Sequence, residues 1–207
     1  MLKFAYAIAF LFLVTYSYGQ TLENFINEAS VKSEHNDFSG AITILSTAIE
    51  KYPKSSKAYT SRGLMKFQTD DFWGAIQDFN KAIEVEPAVS VDSYLMIHYA
   101  LGNAKTALKD FQGALQDFNK IIELRPFEIG AIAGRGNAKL NLKDYKGAIE
   151  DFNIAIRLNP YNSVSYYKRG TAKYRSDDKE GACLDWSKAG ELGYASAYIM
   201  IEEYCNN

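Results

Sequence analysis

The side chains able to do chemistry are few: two histidines, two cysteines and a recurring set of acids and bases. His35 and His98 stand far apart, without the spacing that would let imidazoles share a metal. No Gly-x-Ser-x-Gly elbow, phosphate-cradling glycine loop or His-Glu-x-x-His pair is present. The sequence therefore reads as non-enzymatic, with no cofactor and no metal. His98 shares its register with Tyr59, Ile132 and Tyr166, which assigns it to packing. Cys183 takes a place held elsewhere by Ile42, Ile76, Leu115 and Ile149, where a thiol acts as a small hydrophobe. Cys183 and Cys205 are accordingly expected as unpaired thiols, although an oxidising compartment would permit a bridge.

The charges follow a pattern of their own. Arg62, Arg135 and Arg169 recur in phase, as do Lys66, Lys105, Lys139 and Lys173, and so do Asp78, Asp117, Asp151 and Asp185. A basic strip for an acidic partner is one reading. The other is a ladder of ion pairs between successive helices, each exposed pair worth roughly 0–1 kcal/mol. Acids keep the same period as bases, which favours the ladder. A net charge of -2 over 207 residues gives no footprint for nucleic acid.

That periodicity belongs to the whole chain. Gly-Ala pairs begin at Gly40, Gly74, Gly113, Gly147 and Gly181, spaced 34, 39, 34 and 34 residues apart, and Pro53, Pro87, Pro126 and Pro160 keep the same phase. Self-similarity at such a period marks stacked repeats. Five units fit, at 22–55, 56–89, 95–128, 129–162 and 163–196. Gly63, Gly102, Gly136 and Gly170 sit where glycine costs a helix about 1 kcal/mol against alanine. Their recurrence predicts a close helix crossing, filled by Leu45, Phe79, Phe118, Phe152 and Trp186 beside Ala41, Ala75, Ala114, Ala148 and Ala182. Asp37, Asp71, Asp110, Asp144 and Asp178 are placed to cap the second helix of each unit. Five extra residues lie between Pro87 and Leu95; an early helix start capped from Ser90 and a longer loop are both open.

Segments such as Arg135-Gly136-Asn137-Ala138-Lys139 and Asp144-Tyr145-Lys146-Gly147-Ala148-Ile149-Glu150-Asp151-Phe152 resemble tetratricopeptide repeats, 34-residue helix-turn-helix units. The resemblance covers nearly all of residues 20–196. It implies an all-α, right-handed superhelical solenoid of five repeats, with residues 197–207 as a C-terminal capping helix. It also implies a protein or peptide partner held on the concave face of the first helices. On the family pattern that face presents Thr60, Leu64, Phe67, Tyr99, Asn103, Ala133, Asn137, Asn141, Tyr167, Thr171, Tyr174 and Arg175. Tyrosines would bury area there and amides would bond an extended backbone. Tyr99 stands where a chaperone-tail clamp would need lysine, so that specialisation is not expected.

The first 19 residues differ in kind. A basic start at Lys3, an apolar run from Phe4 to Val14 and small residues before Gln20 fit a cleaved secretory signal. The run is shorter than the roughly 20 residues a membrane span needs. The expectation is an exported protein, periplasmic or secreted, with no membrane span after cleavage. It would act as a binding adaptor or as a fixed structural subunit of an envelope complex.

Overall fold

The computed structural model describes residues 20–205, so the expected signal segment lies outside the described residues. Helix is the only regular structure among them. Contacts divide the chain after Val89 into two compact units. The first unit holds α1 (Leu22–Glu34), α2 (Phe38–Lys51), α3 (Ser56–Gln68) and α4 (Phe72–Val85). The second holds α5 (Val91–Ala107), α6 (Phe111–Leu124), α7 (Ile129–Asn141), α8 (Tyr145–Leu158), α9 (Ser163–Arg175), α10 (Lys179–Glu191) and α11 (Ser196–Tyr204). Within each unit consecutive helices pack as antiparallel hairpins, and first helices of adjacent hairpins also touch: α1 with α3, α5 with α7, α7 with α9.

Each hairpin turn is built the same way. The first helix ends on a residue in the left-handed region: Asn36, Asp70, Lys109, Lys143 or Asp177, with φ between 59° and 67°. The next residue is the capping aspartate, whose own N–H reaches back five residues, as from Asp144 to the Lys139 carbonyl at 2.9 Å. Such a turn satisfies the last carbonyls of one helix and delivers the cap of the next. The five aspartates accept from the N–H of Gly40, Gly74, Gly113, Gly147 and Gly181 at 2.9–3.0 Å. A Cβ on any of these glycines would overlap the capping carboxylate. The Gly of each Gly-Ala pair is therefore set by the cap, a reason the spacing alone did not reveal.

The close crossings are as expected. A Cβ at Gly63 would stand 2.8 Å from the Phe79 ring, at Gly102 2.8 Å from Phe118, and at Gly136 3.1 Å from Phe152. The five paired alanines and their large partners are all buried. The inserted residues settle as helix: Ser90 caps it by accepting from Ser93 N–H at 3.2 Å, and α5 runs to 17 residues against 13 for α3, α7 and α9.

At the far end Gly193, at φ 89°, closes α10 and turns the chain back. Helix α11 then lies on α10 over Trp186, Ala189, Tyr166 and Tyr174. The turn brings Cys205 over Cys183, and they form a disulfide with Cα atoms 5.8 Å apart. The expectation of two unpaired thiols is corrected accordingly. Cys183 shares its register with aliphatic residues, but α11 replaces the next repeat there and supplies a sulfur.

Candidate partner-binding face

The recurring charges form a structural ladder, and it is buried. Arg62 grips Asp78 with two bonds, Nε at 2.8 Å and Nη2 at 2.7 Å, while Lys66 adds a third contact at 2.9 Å. Arg135 and Lys139 hold Asp151 likewise, and Arg169 and Lys173 hold Asp185. The remaining guanidinium nitrogen reaches the preceding hairpin: Arg62 to Ser46 at 3.1 Å, Arg135 to Asn119 at 3.1 Å, Arg169 to Asn153 at 2.7 Å. The four aspartates are 2–4% exposed, so these are not the exposed pairs the sequence suggested. Breaking a buried pair costs several times an exposed one, because the surviving charge is left without water or partner.

The third repeat builds its rung differently. Leu101 occupies the arginine position, and His98 bonds Asp117 from one turn earlier, Nδ1 to Oδ1 at 2.8 Å, with Lys105 on the other oxygen at 2.6 Å. The His98 ring packs on Tyr94 at 4.2 Å between centroids. Burial alone would raise the Asp117 carboxyl, but hydrogen bonds from His98 and Lys105 outweigh it and hold the pKa below 3.8. Packing explains His98 only in part, since it is also this rung's donor.

The expected partner residues divide between the two units. In the first, Thr60 is buried at 6% exposure and is withdrawn from the accessible set. Phe67 packs edge-on against Phe72. Leu64 lines a cavity of about 280 Å³ with Ile26, Ser30, Ser33, Glu34, Ser61 and Met65.

In the second unit, Tyr167 lies against Tyr194, and Tyr174 lies against Trp186 and Tyr204. These two rings serve the α11 interface. Tyr99 stays 42% exposed and walls a cavity of about 310 Å³ with Leu95, Met96, Ile121, Asp92, Arg125 and Glu128. Its other side rests over Gly130, where a Cβ would stand 3.0 Å from the ring. Asn103 is half-buried on α5 and Ala133 on α7. Asn141 donates to the Asn137 backbone carbonyl at 2.8 Å, and Thr171 donates to the Tyr167 carbonyl at 3.0 Å. The Asn137 Oδ1 is shut from solvent with no hydrogen-bond donor. Arg175 is exposed at the end of α9.

Sequence reasoning missed Lys168 on α9. The other repeats carry Asn27, Ser61, Ala100 and Gly134 at its register, so a lysine among uncharged residues was a readable signal. Burial lowers the pKa of its amine. Among the described residues no group of His, Cys, Asp and Glu is arranged to hold a metal ion.

Stacked two-helix units with capped, closely crossing pairs define a helical-repeat scaffold, a class whose business is holding other proteins. The tetratricopeptide-repeat pattern matches residues 26–90, 97–128 and 130–162, more than half of the chain, and the chain belongs to that family. No curated protein sequence matches it. Among solved structures it is similar to YrrB, a tetratricopeptide-repeat protein with an unusual peptide-binding site, with TM-score 0.74 at 20% identity over 86% of this chain and 91% of that one. It is also similar to MamA from Desulfovibrio magneticus RS-1, with TM-score 0.78 at 19% identity over 86% and 97%. Identities this low speak to the fold alone.

Proposed function

We propose that this protein is an exported, non-enzymatic adaptor that holds an extended protein segment on the concave, first-helix face of its second unit. The observation that carries this is Tyr99, which stays 42% exposed on the first helix of the third repeat and walls a cavity with Leu95, Met96 and Ile121. An exposed aromatic ring beside an apolar cavity is the kind of group that dominates binding interfaces. The peptide-binding site of YrrB supports this class of partner.

Export is supported by the N-terminal pattern and by the Cys183–Cys205 disulfide, which persists in oxidising compartments. Among the described residues no helix is long and apolar enough to cross a membrane. Partner capture with the Tyr99→Ala, Asn137→Ala double variant tests the binding site: the partner is lost while helicity is retained. Undiminished capture would shift the account to a fixed structural subunit using other faces. Peptide mapping of the fractionated protein tests export, with a new N-terminus at Gln20 expected and a cytoplasmic chain retaining Met1 contradicting it.

A further inference from the structure

The first repeat carries two side chains that are small for their registers. Leu45 stands where the other repeats place Phe79, Phe118, Phe152 and Trp186, and Ser33 where they place Phe67, Thr106, Leu140 and Tyr174. In the third repeat the Phe118 ring fills the space between two first helices. A Cβ at Gly102 would stand 2.8 Å from that ring, and one at Gly134 2.5 Å. Leu45 reaches less far, and the space it leaves between α1 and α3 is the cavity of about 280 Å³ that Leu64 lines. Buried Ile26 and Leu45 form its floor. Its polar lining is Ser30, Ser33, Ser61 and Glu34, and Glu34 is its only charged side chain. That carboxylate has no cation or hydrogen-bond donor on it among the described residues. It is also the last residue of α1, where the helix's own carbonyls already concentrate negative charge. The other repeats carry Gln68, Ala107, Asn141 and Arg175 at this register, so the acid occurs only in the repeat that has the cavity.

We propose that this cavity of the first unit binds a small organic cation, a primary ammonium on a short apolar body. The ammonium sits between the Glu34 carboxylate and the hydroxyls of Ser30, Ser33 and Ser61, oxygens that can accept its N–H bonds. The hydrocarbon covers Ile26 and Leu45 in place of the missing ring. Size selects the ligand as charge does. An apolar cavity of about 150 Å³ takes benzene, while drug-sized ligands need roughly 300 Å³ or more, so the space suits a body of about six carbons or a single ring. A bound cation also relieves the opposition between the Glu34 carboxylate and the end of its helix. Tyr99 belongs to the other unit, and the two assignments stand independently.

Hexylammonium, 1-hexanol and hexanoate share a chain length and differ in charge; titrating each into the labelled protein, with the Leu64 and Met65 methyl resonances observed, tests the site. Hexylammonium should shift them saturably, hexanol should bind about tenfold more weakly, and hexanoate should not bind. Glu34→Gln, at an exposed position, should reduce hexylammonium to the affinity of hexanol. Ser33→Phe, which supplies the bulk that Phe67 has in the next repeat, should abolish binding of every probe, and Tyr99→Ala should bind as the wild type does. Equal affinity for hexanol and hexylammonium would overturn the cation assignment. Undiminished hexylammonium binding in Glu34→Gln would overturn it as well, whether or not Ser33→Phe folds. Shifts produced by an acetylated lysine-containing peptide but not by hexylammonium would give the cavity to a protein partner and overturn the small-ligand assignment. No saturable shift with any probe would overturn the site altogether.

Discussion

Helices α7 and α9 each carry two polar regions, and the two are built on opposite terms. Toward their hairpin partners they present Arg135, Lys139, Arg169 and Lys173, every one bonded to a buried aspartate. Elsewhere on the same helices stand Asn137, Lys168 and Arg175, outside that ladder, with the Asn137 amide oxygen unpaired. The first region recurs from repeat to repeat in nearly the same form. The second recurs only in part: Asn103 and Asn137 share a register that holds Leu64 and Thr171 in other repeats, and Lys168 stands where the others carry Asn27, Ser61, Ala100 and Gly134. A saturated, recurring polar network is what a fold requires of itself. An unsaturated, non-recurring one costs stability and calls for an explanation outside the chain.

The contrast predicts unequal responses to mutation. The largest is Asp151→Ala, which leaves Arg135 and Lys139 without their acid in a buried setting and should cost about 3–5 kcal/mol in urea unfolding. A cost under about 1 kcal/mol would place the rung among exposed pairs. Next is the disulfide. Closing a 22-residue separation stabilises by about 3 kcal/mol in the chain-entropy view, so Cys183→Ser with Cys205→Ser should lower the melting temperature and expose Trp186 fluorescence to quenchers. An unchanged quenching profile would mean α11 holds its place without the bond.

Acid should weaken the ladder at its third rung. The Asp117 pKa is lowered on folding, so the unfolded chain binds the proton more readily. Its contribution to stability is complete above the ordinary value of 3.8 and is lost as pH falls through the lower folded value. Asp117→Asn should flatten that part of a stability-against-pH curve, and an unaltered acid limb would assign it to other carboxylates. The smallest effect on stability belongs to Lys168→Met. Its amine is depressed by burial, so the folded state binds fewer protons and charge there opposes folding until pH rises toward 10.5. Removing it should leave the melting temperature unchanged or slightly higher at neutral pH. A clear loss would show Lys168 to be part of the fold.

Features that recur were legible in the sequence, because repetition averages out local accident. The aspartate caps, the Gly63, Gly102 and Gly136 crossings and the buried alanines all belong to that group. The left-handed turn residues were not, since Asn36, Asp70, Lys109, Lys143 and Asp177 have no common side chain and the position is dictated by backbone geometry. Features occurring once were read least well. The Cys183–Cys205 bridge depends on where a single non-repeating helix folds back, and the burial of Thr60 depends on how tightly α3 is enclosed. The enclosed, unpaired acceptor of Asn137 was invisible for a similar reason. Its residue type was noted, but whether a neighbour satisfies an amide is a matter of ångströms.

Side-by-side measurement of peptide retention and melting temperature in two double variants tests the division most directly. Tyr99→Ala with Asn137→Ala disturbs only the first-helix face; Arg135→Met with Lys139→Met strips a ladder rung. The first should lose its peptide and keep its melting temperature, and the second should melt well below the wild type yet still retain peptide while folded. If the ladder variant instead loses its ligand at full stability while the first variant binds normally, the recurring charges are the binding site and the account given for both regions is wrong.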